Sequence, residues 1–191
     1  MTMTKTLLTC LLAAGAVTAQ AESVTYAIDP SHTFVTFEAN HMGTSTLRGR
    51  FDKKEGSVTL DKASKSGKAD ITIDATSIDT GVAALDTHLK SKDFFNAAEF
   101  TTAKFSADKF HFNGDKVSEV TGTLTLLGKT QPITLKATNF NCYVNPMLKR
   151  EVCGGDFDTT ITRTQYGMSY GLAYGLPDNI HLLIQIEAVK Q

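Results

Sequence analysis

Alternation of apolar and polar side chains runs through most of this chain from Val24 onward. Between residues 120 and 126 every second residue is apolar or small, and each residue between them is threonine. One face of the last segment carries Ile180, Leu182, Ile184, Ile186 and Ala188. A period of two places successive side chains on opposite faces of an extended strand. The sequence therefore predicts half-buried antiparallel strands.

Turn-forming sequences separate these runs, among them Asp29-Pro30, Asn113-Gly114, Gly128-Lys129 and Pro177-Asp178. Their spacing predicts about eight strands in a largely up-and-down order within one domain. Closure of such a sheet into a barrel removes the edges that so many strands would otherwise expose. We therefore expect an all-β, antiparallel, up-and-down barrel.

Residues 82–92 break the alternation. Leu85 and Leu89 stand four apart, which is a helical spacing. The segment predicts one short helix, with Asp79 or Thr80 as its N-cap.

The first 21 residues have the layout of a cleaved signal peptide. Lys5 precedes an apolar run from Leu7 to Ala14, and small residues lead to Ala19-Gln20-Ala21. This predicts an exported, periplasmic domain over residues 22–191. Lipidation at Cys10 is an alternative, although most of the apolar run follows that cysteine.

Removal of the signal segment would leave two cysteines, Cys142 and Cys153. An even count in an exported protein favours a structural disulfide. A redox-active pair is the alternative, but the two residues do not form a C-x-x-C motif.

Charge and motifs argue against several classes of function. The 19 basic and 20 acidic residues form no basic block, so we expect no nucleic-acid partner. The five histidines form no H-E-x-x-H or H-x-H pair, and no metal site is predicted. A G-x-S-x-G elbow is also missing from the sequence, so we expect no enzyme activity and no catalytic residues.

The interior of an eight-stranded barrel is filled by side chains or holds one slender ligand. Eleven phenylalanines and no tryptophan suit a flexible apolar guest. The same residues also suit a packed core, and composition alone leaves both readings open.

Several motifs in order resemble the YceI-like polyisoprenoid-binding family. The first of these motifs is Ile28-Asp29-Pro30-Ser31-His32-Thr33-Phe34, and the next two are His41-Met42-Gly43 and Arg48-Gly49-Arg50-Phe51. Later segments with the same resemblance are Asp86-Thr87-His88-Leu89 to Phe95, and residues 120–133. The resemblance covers nearly all of residues 24–189.

This resemblance implies a lipocalin-like barrel whose apolar channel carries or stores a long-chain isoprenoid lipid, either a polyprenyl phosphate or a quinone. No cofactor beyond that lipid is expected. The residues predicted to line the channel are Phe34, Phe37, Met42, Phe94, Phe105, Leu124 and Phe157. The residues predicted to contact the head group or the mouth are His32, His41, Arg48, Asp86 and His88.

Partners and rival functions follow from the same reading. A membrane b-type cytochrome is a conceivable partner of a quinone carrier, and a homodimer could form through an exposed strand. One rival is an enzyme that acts on an isoprenoid or quinone head group through His32, His41 or His88. Another is a packed interaction protein without a cavity.

The excursion from Asn141 to Gly155 departs from the family's plain barrel and predicts a lid or an altered mouth.

Overall fold

The structure is a computed structural model that describes residues 23–191, so the predicted signal peptide, its cleavage site and Cys10 lie outside the described residues. Eleven strand segments and one α-helix, α1 at Ala83–Lys90, make up the regular structure of that range. The strands are β1 Val24–Ile28, β2 Phe34–His41, β3 Ser45–Phe51, β4 Lys54–Asp61, β5 Ser66–Asp74, β6 Ile78–Asp79, β7 Thr102–Asn113, β8 Lys116–Leu126, β9 Lys129–Val144, β10 Glu151–Thr162 and β11 Asn179–Lys190. Every pairing between them is antiparallel.

The eleven segments occupy eight positions around a closed barrel. β1 and β2 both pair with β11, because they are two parts of one bent strand. In the same way β3 and β4 together form the neighbouring strand, and β5 and β6 form the next one, which pairs with β7 through β5. From β7 to β11 each strand pairs with the next. The predicted up-and-down barrel of about eight strands is confirmed.

The bend between β1 and β2 is held by side-chain hydrogen bonds. Pro30 has no backbone N–H to donate to a ladder, and the Asp29 carboxylate accepts hydrogen bonds from the backbone and hydroxyl of Ser31. Thr33 is buried and bridges the interruption, since its hydroxyl both donates to the Glu187 carbonyl and accepts from the Glu187 N–H. The neighbouring strand is therefore paired through the bend.

Helix α1 covers one end of the barrel, which we call the helix end. Its buried residue is Leu89, and Leu85 packs against the same core. The predicted N-cap was wrong: Val82 occupies that position and makes no side-chain cap. The start of the helix is instead stabilised by Asp86, about one turn inside it, whose carboxylate accepts hydrogen bonds from the backbone and hydroxyl of Thr80. Asp86 thus ties the strand-to-helix connection together from inside the helix.

Cys142 and Cys153 face each other directly across β9 and β10 and form the predicted disulfide. Beyond them the two strands continue to an exposed turn, at whose tip Met147 is 87% exposed. The described part of the chain contains no helix long and apolar enough to cross a membrane.

Candidate functional site

The barrel encloses two adjoining chambers. The chamber at the helix end has a volume of about 320 Å³, and the one at the opposite end about 120 Å³. Val35, Ile73, Leu124 and Leu182 line both chambers. These shared residues mark a waist at which the two chambers adjoin each other inside the barrel.

The smaller chamber is almost wholly apolar. Two of its lining residues carry hydroxyl groups, and both hydroxyls already have protein partners. Tyr26 donates to the Glu151 carboxylate at 2.7 Å, and Thr33 bonds the backbone of Glu187. Burial, followed by the contact with Glu151, raises the pKa of Tyr26 well above its usual range. This chamber therefore offers a hydrocarbon guest contact area and no free polar group.

The larger chamber combines apolar walls with a few polar side chains. Besides the strands, its walls come from α1, from the segment 91–101, and from the segment 163–178 that links β10 to β11. The polar residues among its lining are Asn40, His41, His88, Arg163 and Tyr170. Such a combination of apolar walls with a few polar groups is typical of a small-molecule site.

Aromatic contacts fix the wall beside α1. The ring of His88 lies 5.1 Å from the ring of Phe94 and 5.1 Å from that of Tyr170, both edge-on. His88 Nε2 also lies 3.2 Å from a carboxylate oxygen of Asp93. His88 is therefore oriented by three neighbours.

The absence of a side chain at Gly49 leaves room for the Phe37 ring. The two residues are directly opposite on β3 and β2, and a Cβ at Gly49 would stand 2.3 Å from the Phe37 ring. The Phe37 ring then packs against Phe51, which in turn meets Phe95 edge-on at 5.4 Å. This chain of rings connects the sheet to the segment that follows α1.

Five of the seven predicted channel residues line the cavity. Phe37 and Phe94 line the larger chamber, Phe105 and Phe157 the smaller one, and Leu124 both. Whether they contact a ligand stays a prediction.

The other two predicted channel residues lie elsewhere. Phe34 points to the outside of β2, where Lys54 Nζ lies 4.9 Å and the Arg50 guanidinium carbon 5.9 Å from its ring centre. Its neighbour Val35 takes the inward position, because adjacent residues of a strand face opposite ways. Met42 sits in the turn after β2 with a positive φ of 55° and is 54% exposed.

The predicted mouth residues divide in the same way. His41 and His88 line the larger chamber. The other three do not line the cavity, since each is held by a surface partner. His32 pairs with Asp29 at 2.8 Å and Arg48 with Glu38 at 2.6 Å, while Asp86 is engaged by Thr80.

Two of these surface pairs shift the pKa values of their members. Hydrogen bonds from Ser31 and then His32 lower the pKa of Asp29 to about 2, and the same contact with Asp29 raises the pKa of His32. Arg48 and then His181 lower the pKa of Glu38. The pairs are electrostatic contacts of the outer surface and do not create a reactive group facing a ligand.

Of the polar lining residues that the sequence did not reveal, Arg163 and Tyr170 come from the segment 163–178. Two short 3₁₀ turns at Arg163–Tyr166 and Leu172–Tyr174 interrupt this segment. The segment has no period of two or of 3.6, so pattern alone gives no facing for its side chains. The one available signal is a single arginine directly after the alternating run of β10.

Within residues 23–191, one group of potential metal donors lies close together. Cys142, Glu151 and Cys153 place their donor atoms within 4.8 Å of one another. Both sulfurs are joined in the disulfide, which leaves the Glu151 carboxylate as the only ligand of the usual kind, and that carboxylate is already bonded to Tyr26 and Lys62.

Comparison with known proteins places this architecture among relatives. The YceI-like domain family matches residues 26–188. A "UPF0312 protein" of Pseudomonas aeruginosa (strain LESB58) is 35% identical over 191 residues, covering 98% of each chain.

Solved structures share the fold at lower identity. BcnA of Burkholderia cenocepacia superposes with a TM-score of 0.70 at 23% identity, covering 84% of this chain and 99% of that one. A polyisoprenoid binding domain from Saccharophagus degradans, implicated in plant cell wall breakdown, gives 0.64 at 17% identity, covering 88% and 99%.

Proposed function

This chain belongs to the YceI-like domain family, and from this membership we propose that it carries or stores a long-chain isoprenoid lipid inside its barrel. The lipid is of the polyprenyl phosphate or quinone type, and the compartment is the periplasm. The observation that carries the proposal is the pair of largely apolar chambers that adjoin each other at Leu124.

The shape of the cavity suits a chain better than a compact ligand. Two chambers meet at a waist of four aliphatic side chains, so a guest that fills both must be slender. Each CH₂ group removed from water contributes roughly 0.8 kcal/mol. A long prenyl chain could therefore be held mainly by contact with the apolar walls.

The polar residues lie at one end, as an amphiphile requires. Asn40, His41, His88 and Tyr170 line the larger chamber, whereas the hydroxyls of the smaller one are already bonded. We place the head group in the larger chamber and the tail in the smaller one. The polyisoprenoid binding domain from Saccharophagus degradans, which has the same fold, is consistent with this class of ligand.

The observed cavity argues against the two rival functions to different degrees. A packed interior does not fit a cavity of about 320 Å³. An enzyme would need acid and base groups that converge on the head group. His41 and His88 line the chamber, but His32 is engaged by Asp29 on the surface. Export, a homodimer and a membrane b-type cytochrome as recipient of a quinone stay with the sequence-based hypothesis.

Native mass spectrometry of the protein purified gently from periplasm, followed by organic extraction, tests the proposal. We expect a stoichiometric mass increment that extracts as a prenyl lipid and is unchanged after prolonged incubation. A bare protein mass, together with no uptake of added polyprenyl lipids, would contradict the carrier function. Conversion of the bound lipid to a product would favour the enzyme.

A further inference from the structure

Arg163 is a buried cation in the wall of the larger chamber. Its residue is 3% exposed, and it lines the cavity at the helix end of the barrel. The backbone N–H of Arg163 bonds the Asp178 carbonyl, which holds the residue where β10 ends and β11 begins. The guanidinium is thus carried by a fixed backbone rather than by a free loop.

The protein satisfies this guanidinium only in part. Nε donates to the Pro177 carbonyl at 2.7 Å, and Nη1 donates to the Met168 carbonyl at 3.1 Å. Among the described residues, Nη2 of Arg163 is the buried side-chain nitrogen without a hydrogen-bond partner. An arginine has five N–H donors, so three remain free, all on the two terminal nitrogens.

The positive charge also lacks a bonded counter-ion within residues 23–191. Asp178 is the acidic group that acts on it, but the oxygens of that carboxylate accept hydrogen bonds from the backbone and hydroxyl of Thr164. No described carboxylate forms an ion pair with the guanidinium. A buried charge without a partner is costly, and the bound ligand is the natural source of one.

We infer that Arg163 binds the head group of the ligand, and that this head group is an anionic oxygen group, either a phosphate or a carboxylate. The free hydrogens on adjacent terminal nitrogens present the fork that such groups accept in bidentate fashion. The inference rests on the proposed function, and it adds the chemical class of the head group and the residue that binds it in the larger chamber. Nη2 is fully buried, so the segment 163–178 must shift slightly to admit the head group.

The rest of the molecule does not supply a preference for anions. The whole chain has a formal net charge of −1, and Arg163 is the one arginine or lysine among the described residues that line the larger chamber. A preference for an anionic head group over a neutral one on the same tail is therefore the signature of Arg163.

Matched ligand pairs test this inference on the wild-type protein. Geranylgeranyl phosphate is compared with geranylgeraniol, and palmitate with hexadecanol, by calorimetry. A charge-assisted hydrogen bond contributes about 1.5–3 kcal/mol, so we expect the charged member of at least one pair to bind about tenfold more tightly or better. The pair that shows the preference distinguishes a phosphate from a carboxylate.

Two variants test whether the preference for the charged ligand comes from Arg163. In Arg163→Met the preference should fall to within about twofold, because the fork is gone while the apolar stem remains. Arg50→Met is the matched control, since Arg50 is half-exposed and pairs with Asp52 on the outer surface. The control should keep the wild-type ratio.

A spectroscopic readout covers the case in which Arg163→Met does not fold. The guanidinium ¹⁵N signal of Arg163 in the wild-type protein should shift with the phosphate and not with the alcohol of the same chain. Equal binding of charged and neutral ligands, or an unmoved signal, overturns the inference while the carrier function stands. Failure of every ligand to bind overturns the carrier function itself.

Discussion

Leu124 stands at the waist where the two chambers meet, and its position makes it a sensitive probe of ligand length. In Leu124→Trp the larger ring should fill the waist and close the passage to the smaller chamber. We expect weakened binding of long prenyl chains by about tenfold or more, since the buried tail is lost. Short chains that fit the larger chamber should bind nearly as in the wild type. Titration with a series of prenyl lipids of increasing length measures both effects.

Leu183→Trp is the matched control for that experiment. Leu183 lies beside the waist residue Leu182 on β11 but points outward and is 37% exposed. The control should bind all chain lengths as the wild type does. Equal binding of long chains by the Leu124→Trp variant would show that the ligand does not pass the waist.

His32 makes the stability of the protein depend on pH. Its pKa in the folded protein is raised above 6.5 by the contact with Asp29, so its contribution is present below that pH and is lost as pH rises through the raised value. Replacement by glutamine should therefore lower the urea midpoint at about pH 5 and change it little at about pH 9. Urea unfolding of both proteins at the two pH values measures this. A difference that is equal at both pH values would contradict the assigned contact.

At the residue scale, sequence reading succeeded where alternation was unbroken and failed beside turns. Leu124 and Phe157 lie well inside long strands, and both line the cavity. Phe34 begins β2 directly after the bend, and Met42 follows its last residue. Whether a side chain near the end of a strand points inward or outward depends on the residue at which the strand bends. A difference of one residue reverses that direction.

At the scale of elements, the disulfide ties β9 to β10 next to their exposed turn. The double substitution Cys142→Ala and Cys153→Ala should lower the free energy of unfolding by about 2–3 kcal/mol, as expected for a closed loop of this length. Urea unfolding of the two proteins under oxidising conditions measures the change. Neither cysteine lines the larger chamber, whereas Cys153 lines the smaller one, so affinity of the folded variant for short prenyl chains that fill only the larger chamber should stay within about twofold. A large loss of affinity would assign the disulfide a role in the site.

Helix α1 shows how far a local pattern reaches. Its position was predicted from Leu85 and Leu89, and the observed helix lies within the predicted range. The start differed because Asp86 binds Thr80 from within the helix, a contact that no N-cap rule describes. The existence of the helix followed from the periodicity of its sequence, whereas the residue at which it starts was set by the geometry of the connection to β6.

At the scale of the whole molecule, the two ends of the barrel should respond differently to ligand. Strand residues and Thr33 line the smaller chamber, whereas α1 and the segments 91–101 and 163–178 contribute to the lining of the larger one. We expect ligand to raise the melting temperature, by mass action, and to slow hydrogen exchange most in those segments, because they must shift to admit it. Exchange measured by mass spectrometry with and without lipid checks this. Uniform slowing across all strands would contradict entry at the helix end.

The sequence by itself determined the barrel, because alternation, turn residues and one helical interval follow local rules that survive in the folded chain. It also supplied the pairing of Cys142 with Cys153, since the two cysteines that follow the predicted signal peptide allow one bridge. Only the tertiary structure decided which polar residues reach the interior. Arg163 and Tyr170 arrive from a segment without periodicity, and the partners of His32, Arg48 and Asp86 lie elsewhere in the fold or across a turn. A side chain's partner depends on the path of the whole backbone, which no local pattern records.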